Sequence, residues 1–146
     1  MSTVITWLVR WGHIASAAVW VGGYALVALA IVPALMRGAN DALRDLAITA
    51  VRVGTYAGTL TIGFGIVLIT RTRGFANLFG SEWGSLVLLC FVSAIALLGI
   101  GDGALRPALN RLVAGGEGRA ARRWAFIGFG LTVLTIGMMT RAVYAR

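Results

Sequence analysis

The chain has 146 residues and contains no lysine, one histidine, one cysteine, two prolines and five acidic residues. Each shortage removes a class of chemistry. Without lysine there is neither a Schiff-base amine nor a lysine general base. The single cysteine, Cys90, precludes an intramolecular disulfide. No CxxC or CxxCH motif exists, so zinc ribbons, dithiol redox chemistry and covalent haem attachment are excluded. With only His13 to supply an imidazole, one chain cannot offer two histidine ligands to the same metal. No complete catalytic constellation is present, and the chain is not expected to be a full enzyme on its own.

What fills the sequence is apolar. Hydrophobic residues make up 59% and charged residues 12%, far from the composition of a soluble domain. A membrane-spanning helix needs about 20 mostly apolar residues to cross ~30 Å of hydrocarbon, and four stretches meet that length. They run from about Val4 to Met36, Ile48 to Thr70, Trp83 to Gly101 and Trp124 to Tyr144. The expected fold is an all-α integral membrane four-helix bundle forming one domain, 1–146. The first stretch lacks a basic leader and is too long for a signal-peptide core, so it reads as a retained helix. Its excess length predicts tilt or extension into water, and Pro33 predicts a kink near its end. The chain has twenty glycines. Gly54 and Gly58 show GxxxG spacing, and Gly128, Gly130 and Gly137 are further candidates for close helix approach.

The net charge of +8 comes from 13 arginines, placed at helix ends and in loops. That pattern points to membrane topology and anionic headgroups, with the lipid bilayer as partner and no nucleic acid. The connections are short. Residues 37–47 carry mixed charge and can continue as helix, Phe75, Leu78 and Phe79 suit an interface, and residues 102–123 are arginine-rich. Arg37, Arg44, Arg52, Arg106, Arg111, Arg119, Arg122 and Arg123 fall on the side of the first and third connections. Arg10, Arg71, Arg73, Arg141 and Arg146 fall on the side of the termini. The positive-inside rule then predicts both termini outside a bacterial-type inner membrane.

An ionisable side chain within a span is costly and marks a functional candidate. His13 lies nine residues into the first stretch, ~13 Å along a helix. Cys90, Met138, Met139, Thr59 and Thr61 fall at a similar depth on the other three helices. Imidazole with thioether is an axial pair for haem iron; imidazole, thiolate and thioether together suit Cu(I). Methionine and buried cysteine are also ordinary packing material. An imidazole in lipid needs a partner, and the structural alternative to ligation is a hydrogen bond to Ser16 or to a neighbouring helix. His13, Ser16, Ala17, Trp20, Gly23 and Tyr24 share one helical stripe, with room for a flat cofactor or a close helix. Arg10, one turn before His13, is placed to meet a haem propionate or to snorkel to headgroups. Asp102 lies toward the opposite face, where it can cap a helix end, pair with Arg106 or serve a proton relay.

The run Arg10-Trp-Gly-His-Ile-Ala-Ser-Ala-Ala-Val-Trp-Val-Gly-Gly-Tyr24 resembles the first-helix signature of the copper-resistance D (CopD) family: a histidine, a tryptophan seven residues later, then a glycine pair. It is also similar to HemJ-type protoporphyrinogen oxidases and, more loosely, to membrane-bound urate oxidase domains. Pro33 matches a proline near the end of that helix. The resemblance covers about fifteen residues. It implies a four-helix core that holds haem b or handles copper, with His13 as a ligand. HemJ-type proteins carry a functional lysine at the start of the third helix, where this chain has Trp83-Gly84-Ser85-Leu86, which argues against the oxidase activity. Three functions follow as expectations. The first is haem b binding through His13, with Met138, Met139 or a second subunit's histidine completing the iron, in electron transfer or a redox-accessory role. The second is copper binding or passage through His13, Met138 and Cys90. The third is a cofactor-free structural subunit of a larger membrane complex. Homodimerisation or other membrane subunits are compatible with all three.

Overall fold

A computed structural model describes residues 2–38 and 40–145. Met1, Ala39 and Arg146 lie outside the described residues, Arg146 having been counted with the terminal-side arginines. The described residues form an all-helical bundle with four helical rods long and apolar enough to cross a membrane, Thr3–Arg37, Asp41–Arg71, Glu82–Val113 and Arg119–Tyr144. The first comprises α1 (Ser2–Leu26), a π turn (Val27–Ile31) and α2 (Val32–Arg37). The second is α3 (Asp41–Arg71). The third comprises α4 (Glu82–Gly99), a π turn (Ile100–Leu105) and α5 (Arg106–Val113), and the fourth is α6 (Arg119–Tyr144). Three rods exceed 30 residues, or ~45 Å and more at 1.5 Å per residue, so they project past the hydrocarbon.

The rods run beyond the apolar stretches for identifiable reasons. The second begins at Asp41 because the Asn40 side chain accepts a hydrogen bond from the Leu43 N–H at 2.7 Å, a helix cap that uses the mixed-charge connection as its first turns. The third continues to Val113, twelve residues past Gly101, where the apolar run ends. Proline lacks an N–H and its ring crowds the carbonyl four residues back. Pro33 and Pro107 each stand two residues after a π turn. In those turns the Val32 N–H bonds Val27 O and the Arg106 N–H bonds Gly101 O, five residues back. The wider turn absorbs the missing donor. At both prolines the helix therefore carries on.

The shared core occupies the half of the bundle toward the first and third connections. Trp20, Tyr24, Val27, Ile31, Ala47, Val51, Ala57, Ala94, Leu97, Leu105, Leu109, Ala121 and Ala125 are buried there in one cluster. Glycines make the fit. A Cβ at Gly58 would come within 2.6 Å of Trp20 Cε2 and 2.9 Å of Leu98, and one at Gly128 would collide with the Tyr24 ring. Gly54 and Gly58 thus form a slot for an indole, a use of the GxxxG spacing different from backbone contact. Gly130 and Gly137 meet open space, and the expected close approach is absent at those two positions.

Toward the terminal face the buried contacts run within hairpins. The first and second rods meet through Gly12, Ser16 and Thr61; the third and fourth meet through Cys90 and Thr135. The second connection clasps the ends. Arg73 donates to Ala145 O at 2.8 Å and lies 5.5 Å from the Trp83 ring centre, and Arg141 pairs with Glu82 at 2.5 Å. Phe75 and Phe79 are exposed as an interfacial position requires, whereas Leu78 turns inward and is buried. Gly84 sits against the Leu78 and Asn77 carbonyls, where no side chain fits.

Candidate functional site

The site builds outward from His13, half-buried on the side of the first rod that meets the second. Its Nδ1 lies 2.8 Å from the Thr61 carbonyl oxygen. A carbonyl only accepts, so Nδ1 carries a proton, and in the neutral ring Nε2 keeps its lone pair. The ring lies against Gly65, whose Cβ, if present, would be 3.2 Å from His13 Cε1. The Thr61 hydroxyl lies 3.0 Å from Ser16 Oγ and 2.8 Å from Ala57 O. Ser16 Oγ is 2.8 Å from Gly12 O and 3.1 Å from His13 O. A polar knot of His13, Ser16 and Thr61 therefore ties the first rod to the second. Among the described residues no buried side-chain nitrogen or oxygen lacks a hydrogen-bond partner.

The arrangement differs in detail from the expected polar layer. Ser16 bonds Thr61 and backbone carbonyls, and of the two expected partners of the imidazole, Ser16 or a neighbouring helix, it is the neighbouring helix that supplies one, the Thr61 carbonyl. Thr59 turns outward and bonds Thr55 O at 2.9 Å. Cys90 is buried with its thiol 3.8 Å from Thr135 O, on the face joining the third rod to the fourth. Met138 and Met139 are both half-buried on the fourth rod. Arg10 is exposed one turn before His13, and among the described residues it has no ion-pair partner. Trp20 is 5% exposed and built into the shared core two turns further along. No group of three histidine, cysteine or acidic residues is gathered anywhere among the described residues.

Gly65 is the contact that sequence reading missed. Its signal was available: it stands four residues after Thr61, so it shares that helix face at the depth of His13. Only the pairing of the first rod with the second identifies which imidazole it faces. Asp102 sits in the second π turn, where it accepts from Thr55 Oγ1 at 3.1 Å and pairs with Arg106 at 3.4 Å. Beside it lies a cavity of about 20 Å³, with Trp20, Tyr24, Thr55, Leu98 and Gly101 among its walls, room for about one water molecule. Tyr24 closes it with a 2.5 Å hydrogen bond to Leu97 O.

No family model, no curated protein and no solved structure matches the chain.

Proposed function

We propose that this chain is a haem b-binding membrane protein with an electron-transfer or redox-accessory role, and that His13 is the iron ligand. The observation that carries this reading is the Nδ1–Thr61 hydrogen bond at 2.8 Å. Metal-ligating histidines regularly donate their other ring N–H to a backbone carbonyl or carboxylate, which fixes the tautomer and strengthens the ligand. Gly65 leaves room for the ring, and Ser16 and Thr61 hold the two rods at that level. The chain offers one imidazole as an axial ligand, and Met138 and Met139, half-buried on the fourth rod, are the candidate thioethers for the second. The first-helix resemblance to the copper-resistance D family points the same way. When bound, haem supplies one-electron chemistry at its iron. The chain's own part is to orient the imidazole, keep Nε2 unprotonated and exclude water from the hydrocarbon half of the bundle.

An absorption spectrum of purified protein, with metal analysis, tests this reading. A Soret band in stoichiometric yield supports it. Copper without haem would favour the metal-handling alternative, and neither would favour a structural subunit. For the second ligand, adjacent helical residues point about 100° apart, so only one of Met138 and Met139 can face the bundle centre. Replacing that methionine with alanine is expected to lower the reduction potential or convert the iron to high spin, while replacing the other changes little. Two unchanged spectra would exclude the histidine–methionine pair and leave a five-coordinate iron or one completed by a second subunit's histidine.

The orientation follows from charge. Both termini are expected outside, in a bacterial-type inner membrane, because eight arginines lie toward the first and third connections and five toward the termini. A C-terminal reporter active only in the cytoplasm would reverse the orientation and move His13 to the inner leaflet.

A further inference from the structure

At the start of the fourth rod, Arg119, Arg122, Arg123 and Phe126 line an open concavity of about 390 Å³. Their spacing of three, four and seven residues puts them on one helix face, opposite the buried Ala121 and Ala125. Arg119 reaches the exposed Glu117 at 3.4 Å. Among the described residues no carboxylate pairs with Arg122 or Arg123, and Arg123 lies 5.7 Å from the Trp124 ring centre. Three guanidinium groups are thus gathered with a single, solvent-exposed countercharge.

The depth of these residues identifies the occupant. Tryptophan marks the headgroup level of a bilayer, which sets Trp124 and its neighbouring arginines among lipid phosphates. Phe126 is 43% exposed and lies ~10 Å along the helix from Arg119, one turn deeper than Arg122 and Arg123, where acyl chains begin. Arginine also matches phosphate geometry better than a point charge does. We propose that this face is a binding site for an anionic phospholipid, its phosphate held by Arg122 and Arg123 and its chain laid against Phe126. The site is at the opposite end of the bundle from His13 and stands whether or not the chain binds haem.

The test is native mass spectrometry of the full chain in detergent, titrated with phosphatidylglycerol or with phosphatidylcholine of the same chains. Wild type is expected to retain phosphatidylglycerol in preference. The R122Q/R123Q variant is expected to lose about 30-fold in apparent affinity, since each basic residue near a lipid surface contributes roughly five-fold. The R44Q/R52Q variant removes the same charge from exposed positions toward the same face, outside the concavity, and is expected to bind as wild type does. If the R122Q/R123Q protein does not fold, the two single variants read the same quantity at about five-fold each. Equal losses in both double variants would show diffuse attraction and overturn the site. So would equal retention of the zwitterionic lipid, or displacement by millimolar inorganic phosphate, which would make the concavity a plain anion site.

Discussion

Replacing His13 with alanine is expected to remove the cofactor and leave a folded, inserted bundle. Loss of the imidazole removes the only histidine in the chain, the iron ligand of the proposed reading. Insertion depends on hydrophobicity, which alanine preserves or improves. The packing cost is small because neighbouring contacts survive: Ser16 still bonds Thr61 at 3.0 Å, and Phe64 still covers Gly12. The Thr61 carbonyl loses a second donor, a change worth about 1 kcal/mol. The expected outcome is complete loss of the Soret band with helical content and detergent melting near wild type. A retained band would make His13 a structural tie between two rods and end the haem reading. Gly65→Ala separates orientation from ligation. A methyl group 3.2 Å from Cε1 pushes the ring without deleting it, so bound haem with a shifted potential is the expected result there.

A large effect on stability is expected at Gly128. A Cβ there collides with the Tyr24 ring and would lie 2.6 Å from its Cδ1. The ring has little freedom to retreat, since its hydroxyl is fixed on Leu97 O at 2.5 Å and the residue is 6% exposed. Either the hydrogen bond breaks or the fourth rod moves out, and overpacking of this kind costs about 1–3 kcal/mol, with about 1 kcal/mol more if the bond is lost. Gly130→Ala is the control two residues away. Nothing lies within 4 Å of a Cβ at Gly130, and alanine favours helix over glycine by about 1 kcal/mol, so that variant is expected to match or exceed wild type. Thermal unfolding in detergent should therefore separate the two alanines in opposite directions. Equal melting temperatures would mean that Tyr24 repacks freely.

Much of the architecture was legible in the chain because lipid imposes few solutions. A backbone without water must satisfy its own hydrogen bonds, so long apolar runs become helices, and their four centres could be read directly. Three of their ends could not: the starts of the second and fourth rods and the end of the third lie beyond the apolar runs. Asn40 as a cap and the π turn before Pro107 carry the second and third rods into segments that hydropathy assigns to the mixed-charge and arginine-rich connections. Hydropathy reports where lipid is, and hydrogen bonding decides where a helix stops.

The candidate site divides the same way. Sequence alone determined that His13 is the one imidazole, that it lies inside a span, and that no lysine or second histidine can assist it. It also set the depth at which a partner must be sought, because helical rise is fixed. Tertiary structure decided the direction. Depth leaves the rotation of each helix open, and rotation is set by which small residues admit which large ones: Gly58 admits Trp20, Gly128 admits Tyr24, Gly12 admits Phe64 and Gly65 admits His13. Those fits turn His13 to the Thr61 carbonyl, Cys90 to Thr135 and Thr59 outward. Composition cannot specify such pairings, since each is a match of shape between helices distant in the chain.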